Sequence, residues 1–490
     1  MGCGASMLAA PTEVQRSAKS DACLPRVQAA LEAIAKKGEL NACAEVLTQS
    51  ALKQALEADA RLASGGKPRA LEGLPIVIKC NIDVAGTLST ASMPGLATWR
   101  PQSTAPVAAK LVEAGAIVVA KTSMPELALF GMGFSPLHGL TLNPLNNAIS
   151  CSGSSSGTAC CIAAGLVTCG LGTDTGGSLR MPAEACGIVG FRPSIGRYPT
   201  SGIVPADPTR DTAGPMGATV GEVTKLDAVV SGTPLASYTP ASLSGLRVAV
   251  PATALATDVP GFRRALELAL TALRAAGAVV NSEASDFGEM VRACKHECDL
   301  AFGGLAFDEY LAAHPGCGLT TDGVLDASCT KGTKEFLTDP NAMTLTPPRV
   351  MLRELSEAER KPLLEQHEAE LRQHEAGYDK YFDDAGADIL LLPAAKGPPP
   401  KCLSEDEYRA FPNQVAMMMQ PGFLPHYAYG MQLTRLRVPS IALPTTARHE
   451  GLDVEGPPPP AGILLFGRVQ DDLRLLRVAL ALEAAMKRCG

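Results

Sequence analysis

The spacing of apolar residues along the chain predicts strands and helices that alternate. The runs Leu74–Ile78 and Ile117–Ala120 are continuously apolar, which is typical of strands buried on both faces of a sheet. Between them, residues 106–116 have the apolar spacing of a helix, and the same order of strand, helix and strand recurs in residues 246–280. Because a helix that connects two strands favours parallel pairing, this pattern predicts the α/β class.

The remaining segments show no boundary between domains. Residues 12–64 and 284–375 are expected to be mainly helical. Two late strands are predicted at Ile389–Leu392 and Ala461–Phe466, and a last helix at residues 471–487. The chain has 490 residues, enough for about three domains of average size, but no internal repeat and no long linker separates them.

Composition and charge exclude several classes of function. The net charge is −7, and no run rich in Lys or Arg provides the basic surface that nucleic-acid binding requires. No apolar stretch reaches the roughly 18–20 residues that cross a bilayer, and no secretory signal is expected at the N-terminus. The 15 cysteines have no regular spacing, which favours reduced thiols and a cytoplasmic protein.

A long segment without charges contains the most informative loops. From Leu127 to Thr173, 47 residues include no Asp, Glu, Lys or Arg, although charged residues make up 19% of the chain. Because Ser, Asn, Gly and Pro interrupt this segment, it indicates deeply buried backbone rather than a membrane span. It contains the loop 152–157 (SGSSSG) and is followed by the loop 172–180 (GTDTGGSLR). Loops of this composition can turn tightly and can present several backbone N–H groups to an anion.

The anion that suits these loops is either a phosphate or the oxyanion of an acyl-transfer reaction. The phosphate alternative is weak, because no Lys follows the glycines as a P-loop requires. Acyl transfer needs a nucleophile and a base, and Lys79 at the end of Leu74–Ile78 is a candidate base. Burial would lower the pKa of Lys79, whereas a side chain that reaches water would stay charged. The position of Lys79 in the sequence does not decide between the neutral and the charged side chain. For the loops, a further interpretation is that they are only tight turns and take no part in catalysis.

Three segments together resemble the amidase signature family. They hold Lys79 in LPIVIKCNIDVAG, Ser154 in SGSSSG and Ser178 in GTDTGGSLRMPAEACGIVGFRPS, and the 24-residue spacing of the two serines also fits. The resemblance is strong over residues 66–235 and returns in residues 385–485. It implies an α/β fold that is a single large three-layer α/β/α unit around a mixed, mostly parallel sheet.

The resemblance also implies how the chain is divided. Residues 1–65 are expected to form an N-terminal tail and a helical segment that packs on the core. Residues 66–485 are expected to form the amidase domain. Within that domain, residues 236–385 are expected to be a variable, mainly helical part.

For the chemistry, the resemblance implies a Ser–cisSer–Lys triad. Ser178 would be the nucleophile that forms an acyl-enzyme. Ser154, after a cis peptide bond from Gly153, would relay protons between Ser178 and neutral Lys79, the base. Four backbone N–H groups would form the oxyanion hole, those of Thr175, Gly176, Gly177 and Ser178.

Three positions around the triad depart from the family pattern. Cys80 stands where the family usually has Asp, and Ser152 and Ser156 stand where it usually has Gly. The three triad residues are unchanged, so an active enzyme is expected. Asp174 and Arg180 are expected to form a structural ion pair that supports the nucleophile loop.

The segment Gly196–Met216 is similar to mandelamide hydrolases and indoleacetamide hydrolases. This similarity implies an amidohydrolase that cleaves a small primary, arylacetamide-like amide to a carboxylic acid and ammonia. Phe130, Gly131 and Met132 are expected to contact the substrate, with residues 300–345 and 410–430 also lining the pocket. The alternatives are a non-catalytic binding protein of the same fold and an amidotransferase A-type subunit. A homodimer is one oligomeric state that the sequence leaves open.

Neither a cofactor nor a metal ion is expected. Cys294, His296 and Cys298 do not share one helix face, since His296 points away from the two cysteines. The N-terminal sequence MGCGAS fits N-myristoylation at Gly2 and offers a palmitoylation site at Cys3. Because two acyl chains suffice for stable anchoring, membrane association is expected only if this N-terminus is acylated.

Overall fold

The computed structural model describes residues 22–129, 132–286, 300–327, 331–339, 350–411 and 436–489. Its central element is a sheet of eleven strands. In spatial order the strands are β1 (Cys43–Val46), β3 (Ile117–Thr122), β2 (Pro75–Lys79), β6 (Cys169–Asp174), β8 (Thr212–Gly217), β7 (Val189–Arg192), β14 (Ser440–Arg448), β15 (Pro460–Phe466), β13 (Ile389–Pro393), β9 (Arg247–Pro251) and β10 (Val279–Ala284). Two small sheets pair β4 (Phe134–Ser135) with β5 (Gly139–Leu140) and β11 (Leu300–Ala301) with β12 (Val350–Met351).

The sheet is mixed, as predicted, but most of its neighbouring strands are antiparallel. The two predicted strand–helix–strand units do form parallel pairs, β2 with β3 and β9 with β10. Among the described pairings, four are parallel and six are antiparallel, so the expectation of a mostly parallel sheet is wrong. The reason lies in the middle of the sheet, where strands such as β14 and β15 follow each other without a crossover helix, and a direct connection reverses the strand direction.

Helices surround this sheet. The described α-helices are α1 (Cys23–Lys36), α2 (Thr48–Ala63), α3 (Pro106–Glu113), α4 (Ser156–Ala163), α5 (Arg180–Ala185), α6 (Val220–Ser231), α7 (Ala252–Leu255), α8 (Pro260–Ala275), α9 (Gly303–Ala312), α10 (Thr321–Asp326), α11 (Lys331–Thr338), α12 (Glu357–Asp384), α13 (Glu405–Ala410) and α14 (Asp472–Cys489). In the part of the chain that is described, no helix combines the length and apolarity that a membrane crossing needs.

Alternation along β2 shows how helices cover both faces of the sheet. Val77 belongs to one apolar cluster together with residues of α4, such as Ile162. Its neighbours Ile76 and Ile78 belong to a second cluster with Leu111 of α3. Because successive strand residues point to opposite faces, the two clusters lie on the two sides of the sheet. The predicted α/β class and its layering are confirmed.

Two predicted helical segments differ from the structure. Within residues 12–64, α1 and α2 are present, but Cys43–Val46 between them is the edge strand β1, which pairs antiparallel with β3. Backbone hydrogen bonds to a distant strand decide this conformation, which local apolar spacing does not report. In the described parts of residues 284–375 helices predominate, but the short strands β11 and β12 and loops such as residues 313–320 interrupt them.

Candidate active site

Lys79 is the last residue of β2 and is completely buried. Its Nζ donates hydrogen bonds of 2.8 Å to Ser154 Oγ and 2.8 Å to Thr173 Oγ1. Burial lowers the pKa of this amine to about 7, although the carboxylates of Asp174 and Asp211 act in the opposite direction. The side chain therefore points into the protein toward Ser154, and the alternative in which it reaches water is excluded.

Ser154 lies within the charge-free segment, in the turn that precedes α4. The peptide bond from Gly153 to Ser154 is cis, as the resemblance implied, and Ser154 is completely buried. The next residue ties this turn to its surroundings, because Ser155 N–H donates to the Ser178 carbonyl oxygen (3.2 Å) and Ser155 Oγ donates to the Thr173 carbonyl oxygen (3.1 Å). The two serine loops that sequence analysis singled out are thus bonded directly to each other.

Glycine at position 172 makes this contact possible. A Cβ atom there would lie only 2.5 Å from Ser155 Oγ and 2.9 Å from Leu179 Cδ2. Such distances leave no room for a side chain, so the absence of a Cβ lets β6 approach the Ser154 turn.

Ser178 lies in the loop that connects β6 to α5. Gly177, just before it, has φ of +111°, a conformation that glycine adopts without the steric cost of a Cβ. Ser178 keeps 8% of its surface exposed, whereas Lys79 and Ser154 have none. Of the three predicted triad residues, Ser178 is therefore the one that a molecule from solvent can reach.

The Asp174 carboxylate organises the nucleophile loop. It accepts hydrogen bonds from the backbone N–H groups of Gly177 (2.7 Å) and Leu179 (3.1 Å). The Gly177 N–H, one of the four predicted oxyanion donors, is therefore already engaged by a carboxylate, and its role in the oxyanion hole stays a prediction. The other three predicted donors are the N–H groups of Thr175, Gly176 and Ser178.

The expected ion pair of Asp174 and Arg180 is present, and Arg192 completes it. Arg180 Nε donates to Asp174 Oδ2 (3.1 Å) and Arg192 Nη1 to Oδ1 (2.9 Å), with all three side chains at 1% exposure or less. Burial by itself raises the pKa of this carboxyl, but Arg180 and Arg192 outweigh burial and hold the pKa well below its usual range. Asp174 is thus a buried counter-charge for two guanidinium groups.

Replacing Asp174 by Asn is expected to lower the free energy of unfolding by about 3 kcal/mol or more, because two buried guanidinium groups lose their counter-charge. Urea denaturation followed by circular dichroism measures the effect. The control is Asp384→Asn on the surface of α12, where Asp384 pairs with Lys380 at 2.6 Å but is 64% exposed. This change should alter stability by no more than about 1 kcal/mol. Equal stability of the two variants would contradict the structural role of Asp174.

Three neighbours of the triad were not found by sequence reasoning. Thr173 accepts from Lys79 and also from Asn81 Nδ2 (3.1 Å). Asp211 accepts a hydrogen bond from the hydroxyl of Thr175. A small cavity is lined by these polar residues together with small and branched apolar ones, namely Asn81, Ala128, Thr173, Thr175, Ile203, Val204, Ala206, Asp211 and Thr212. Thr173 and Asn81 lie within the motifs that hold Ser178 and Lys79, which was the available signal. Asp211 lies within Gly196–Met216, where the resemblance did not point to any single residue.

Of the three residues predicted to contact the substrate, the structure describes only Met132. Phe130 and Gly131 lie outside the described residues, as do Gly2 and Cys3 and most of the segment 410–430. Met132 is buried at 2% exposure and packs with Met181 and Tyr408. Its carbonyl oxygen accepts hydrogen bonds from Ser150 Oγ (3.0 Å) and the Tyr408 hydroxyl (3.4 Å). Contact between Met132 and a substrate stays a prediction.

Known proteins resemble this chain in sequence. The mandelamide hydrolase of Pseudomonas putida is 39% identical over 305 residues, covering 58% of this chain and 60% of that protein. An indoleacetamide hydrolase of Allorhizobium ampelinum is 31% identical over 341 residues, covering 69% and 70%. The A-type subunit of the glutamyl-tRNA(Gln) amidotransferase of Deinococcus radiodurans is 39% identical over 246 residues, covering 48% and 51%. The chain spans 40–60% of the length of the first curated relatives that it matches.

The fold has a counterpart among solved structures. The peptide amidase from Stenotrophomonas maltophilia superimposes with a TM-score of 0.72 over 95% of this chain and 94% of that one. At 23% identity, this likeness concerns the fold alone. A family model described as Amidase matches residues 26–476. Since that model covers most of the chain, the chain belongs to the amidase family.

Proposed function

We propose that this protein is an amidohydrolase that cleaves a small primary amide to a carboxylic acid and ammonia. The observation that carries the proposal is the 2.8 Å hydrogen bond between Lys79 Nζ and Ser154 Oγ, both completely buried. An amine with a pKa of about 7 is half neutral near physiological pH, so it can accept a proton. Ser178, next to this pair through Ser155, is the proposed nucleophile.

The proposed acylation moves one proton along the triad. Ser178 Oγ forms a bond to the amide carbonyl carbon while its proton passes to Ser154 Oγ, and the Ser154 proton passes to Lys79 Nζ. When the carbon–nitrogen bond breaks, the nitrogen keeps the electron pair. The proton returns from Lys79 through Ser154 to the nitrogen, which leaves as ammonia, and Ser178 remains acylated.

Deacylation uses the same groups with water as the nucleophile. Water loses a proton to the relay as its oxygen attacks the acyl carbon. The bond to Ser178 Oγ breaks, and the relay returns the proton to that oxygen. In both steps the negative charge on the former carbonyl oxygen is stabilised by the N–H groups of Thr175, Gly176 and Ser178.

The proposed substrate is an aryl-substituted acetamide. Support comes from the mandelamide hydrolase and indoleacetamide hydrolase relatives, whose names specify primary amides of aromatic acids. The cavity beside Thr173, the hydrogen-bond acceptor of Lys79, is small, which suits a small leaving group such as ammonia. The alternative of an amidotransferase component has support from the relative in Deinococcus radiodurans. The net charge of −7 argues against a function that requires binding to tRNA.

The test is an amide panel with the purified protein. Ammonia release is measured for mandelamide, indoleacetamide, phenylacetamide, glutamine and an anilide, with the acid product identified by mass spectrometry. We expect release from the aromatic primary amides and labelling of Ser178 by a fluorophosphonate, with heat-denatured protein as the control. Neither release nor labelling would favour a non-catalytic binding protein. Release from glutamine alone would favour an amidotransferase component.

A further inference from the structure

The carboxyl group of Asp211 joins two loops beside the triad. Its Oδ2 accepts hydrogen bonds from the backbone N–H groups of Ala206 (2.8 Å) and Asp207 (2.9 Å), on the loop that precedes β8. Its Oδ1 accepts a hydrogen bond from the hydroxyl of Thr175. Thr175 is the first residue after β6 and one of the three proposed oxyanion donors. A single, partly buried carboxylate thus connects the loop of residues 206–211 to the loop that ends at Ser178.

We propose that Asp211 is a positioning residue for the amide hydrolysis: it holds Thr175, and through Thr175 the oxyanion loop, and it places a negative charge near Lys79. This inference rests on the proposed function. It assigns to Asp211 two separable effects, one through a hydrogen bond and one through a charge.

The hydrogen-bond effect follows from the geometry of the loop. Gly177 has φ of +111° and its N–H is held by Asp174, so the C-terminal side of the oxyanion loop has its own support. At the other side, the bond from the Thr175 hydroxyl to Asp211 restrains the residue that presents the first N–H donor. Oxyanion donors act only when they are fixed before the charge develops, so a loosened Thr175 would slow the reaction itself more than substrate binding.

The charge effect follows from the groups that surround Asp211. Arg192 and Arg210 are the arginines near Asp211, but each is paired with another carboxylate, Arg192 with Asp174 (2.9 Å) and Arg210 with Asp207 (2.8 Å). The hydrogen bonds to Asp211 come from a hydroxyl and two amides, none of which neutralises its charge.

Lys79 is the cation on which this carboxylate acts. Asp211 and Thr173 line the same cavity, and Thr173 is a hydrogen-bond acceptor of Lys79. The Asp211 charge raises the pKa of Lys79, as does that of Asp174, while burial lowers it to about 7. Burial and the neighbouring Asp207 in turn raise the pKa of Asp211 to about 6. The two groups are therefore expected to titrate as an interacting pair.

Two substitutions separate the effects. Asp211→Asn removes the charge, so Lys79 should lose its proton more readily, and the acid limb of kcat/KM against pH should move to lower pH by about 0.5–1 unit. Thr175→Val removes the hydroxyl and keeps the charge, so kcat should fall about tenfold with KM nearly unchanged while the limb stays near pH 7. Thr175→Ser restores a hydroxyl and should recover most of kcat.

The control variant is Asp453→Asn, which removes an exposed acid paired with Lys401 and should change neither kcat nor the pH profile. Urea denaturation of each variant shows that the folded enzyme is being compared. If the wild-type protein hydrolyses amides but Asp211→Asn leaves the acid limb in place, or Thr175→Val leaves kcat unchanged, the inference is wrong and the proposed function stands. If the wild-type protein neither hydrolyses amides nor reacts with a fluorophosphonate, both are overturned.

Discussion

Replacing Ser178 by alanine is expected to lower kcat by about 10⁴-fold or more, because the acyl-enzyme can no longer form. The folded state should be nearly unaffected, since the Ser178 groups in described hydrogen bonds are backbone atoms, including the carbonyl oxygen that accepts from Ser155. Ammonia release from an aromatic primary amide measures the loss. Mass spectrometry should show that fluorophosphonate labelling disappears in the same variant.

Ser201→Ala is a suitable control for this substitution. Ser201 is exposed on the surface, so removing its hydroxyl should leave the rate and the labelling unchanged. A Ser178→Ala protein that keeps a tenth of the wild-type rate, at unchanged thermal stability, would show that another group is the nucleophile. Labelling that persists in this variant would identify that group directly.

Replacing Lys79 by methionine is expected to lower kcat/KM by about 10²–10⁴-fold, the range typical of removing a general base. Methionine has a similar length and no charge, so the buried site can accommodate it. The loss arises because Ser154 keeps its place but has no amine to receive its proton.

The pH profile provides a sharper test of the same residue. The pKa of Lys79 is lowered to about 7, and only the neutral amine can accept a proton. For the wild-type enzyme, kcat/KM should therefore rise as the pH increases through about 7 and level off above it. The residual rate of Lys79→Met should lack this limb.

Lys121 offers a matched control for Lys79. It is a second completely buried lysine, on the neighbouring strand β3, and burial lowers its pKa as well. Its Nζ donates to Ser89 Oγ (3.3 Å) and to the Ile82 carbonyl oxygen, away from Ser154. Lys121→Met should alter stability but keep the pH limb near 7. A wild-type profile that is flat from pH 5.5 to 9 would exclude a neutral lysine as the base.

Much of the fold could be predicted from local pattern. The apolar runs at Leu74–Ile78 and Ile117–Ala120 became the parallel strands β2 and β3, because a strand buried on both faces has no polar positions. The edge strand Cys43–Val46 could not be predicted in this way. Its conformation depends on hydrogen bonds to Ala120–Thr122, and those partners are more than 70 residues away along the chain.

The candidate site was also only partly predictable. Lys79, Ser154 and Ser178 lie in motifs that can be recognised, and the structure brings Lys79 and Ser154 together at 2.8 Å. Asp211 lies outside those motifs, and its hydrogen bond to Thr175 exists only because β8 lies next to β6 in the folded sheet. The sequence alone does not distinguish a carboxylate in a surface loop from a carboxylate that binds an oxyanion loop.

By itself, the sequence determined the α/β class, a charge-free buried segment, and the one lysine and two serines that lie in family motifs. Only the tertiary structure decided the state of these groups. It placed the Asp174 carboxylate where it binds the Gly177 N–H, and it buried Lys79 so that its pKa falls to about 7. The physical reason is that hydrogen-bond partners and desolvation depend on which distant segments meet in space, whereas propensity and residue type act within a few positions of the chain.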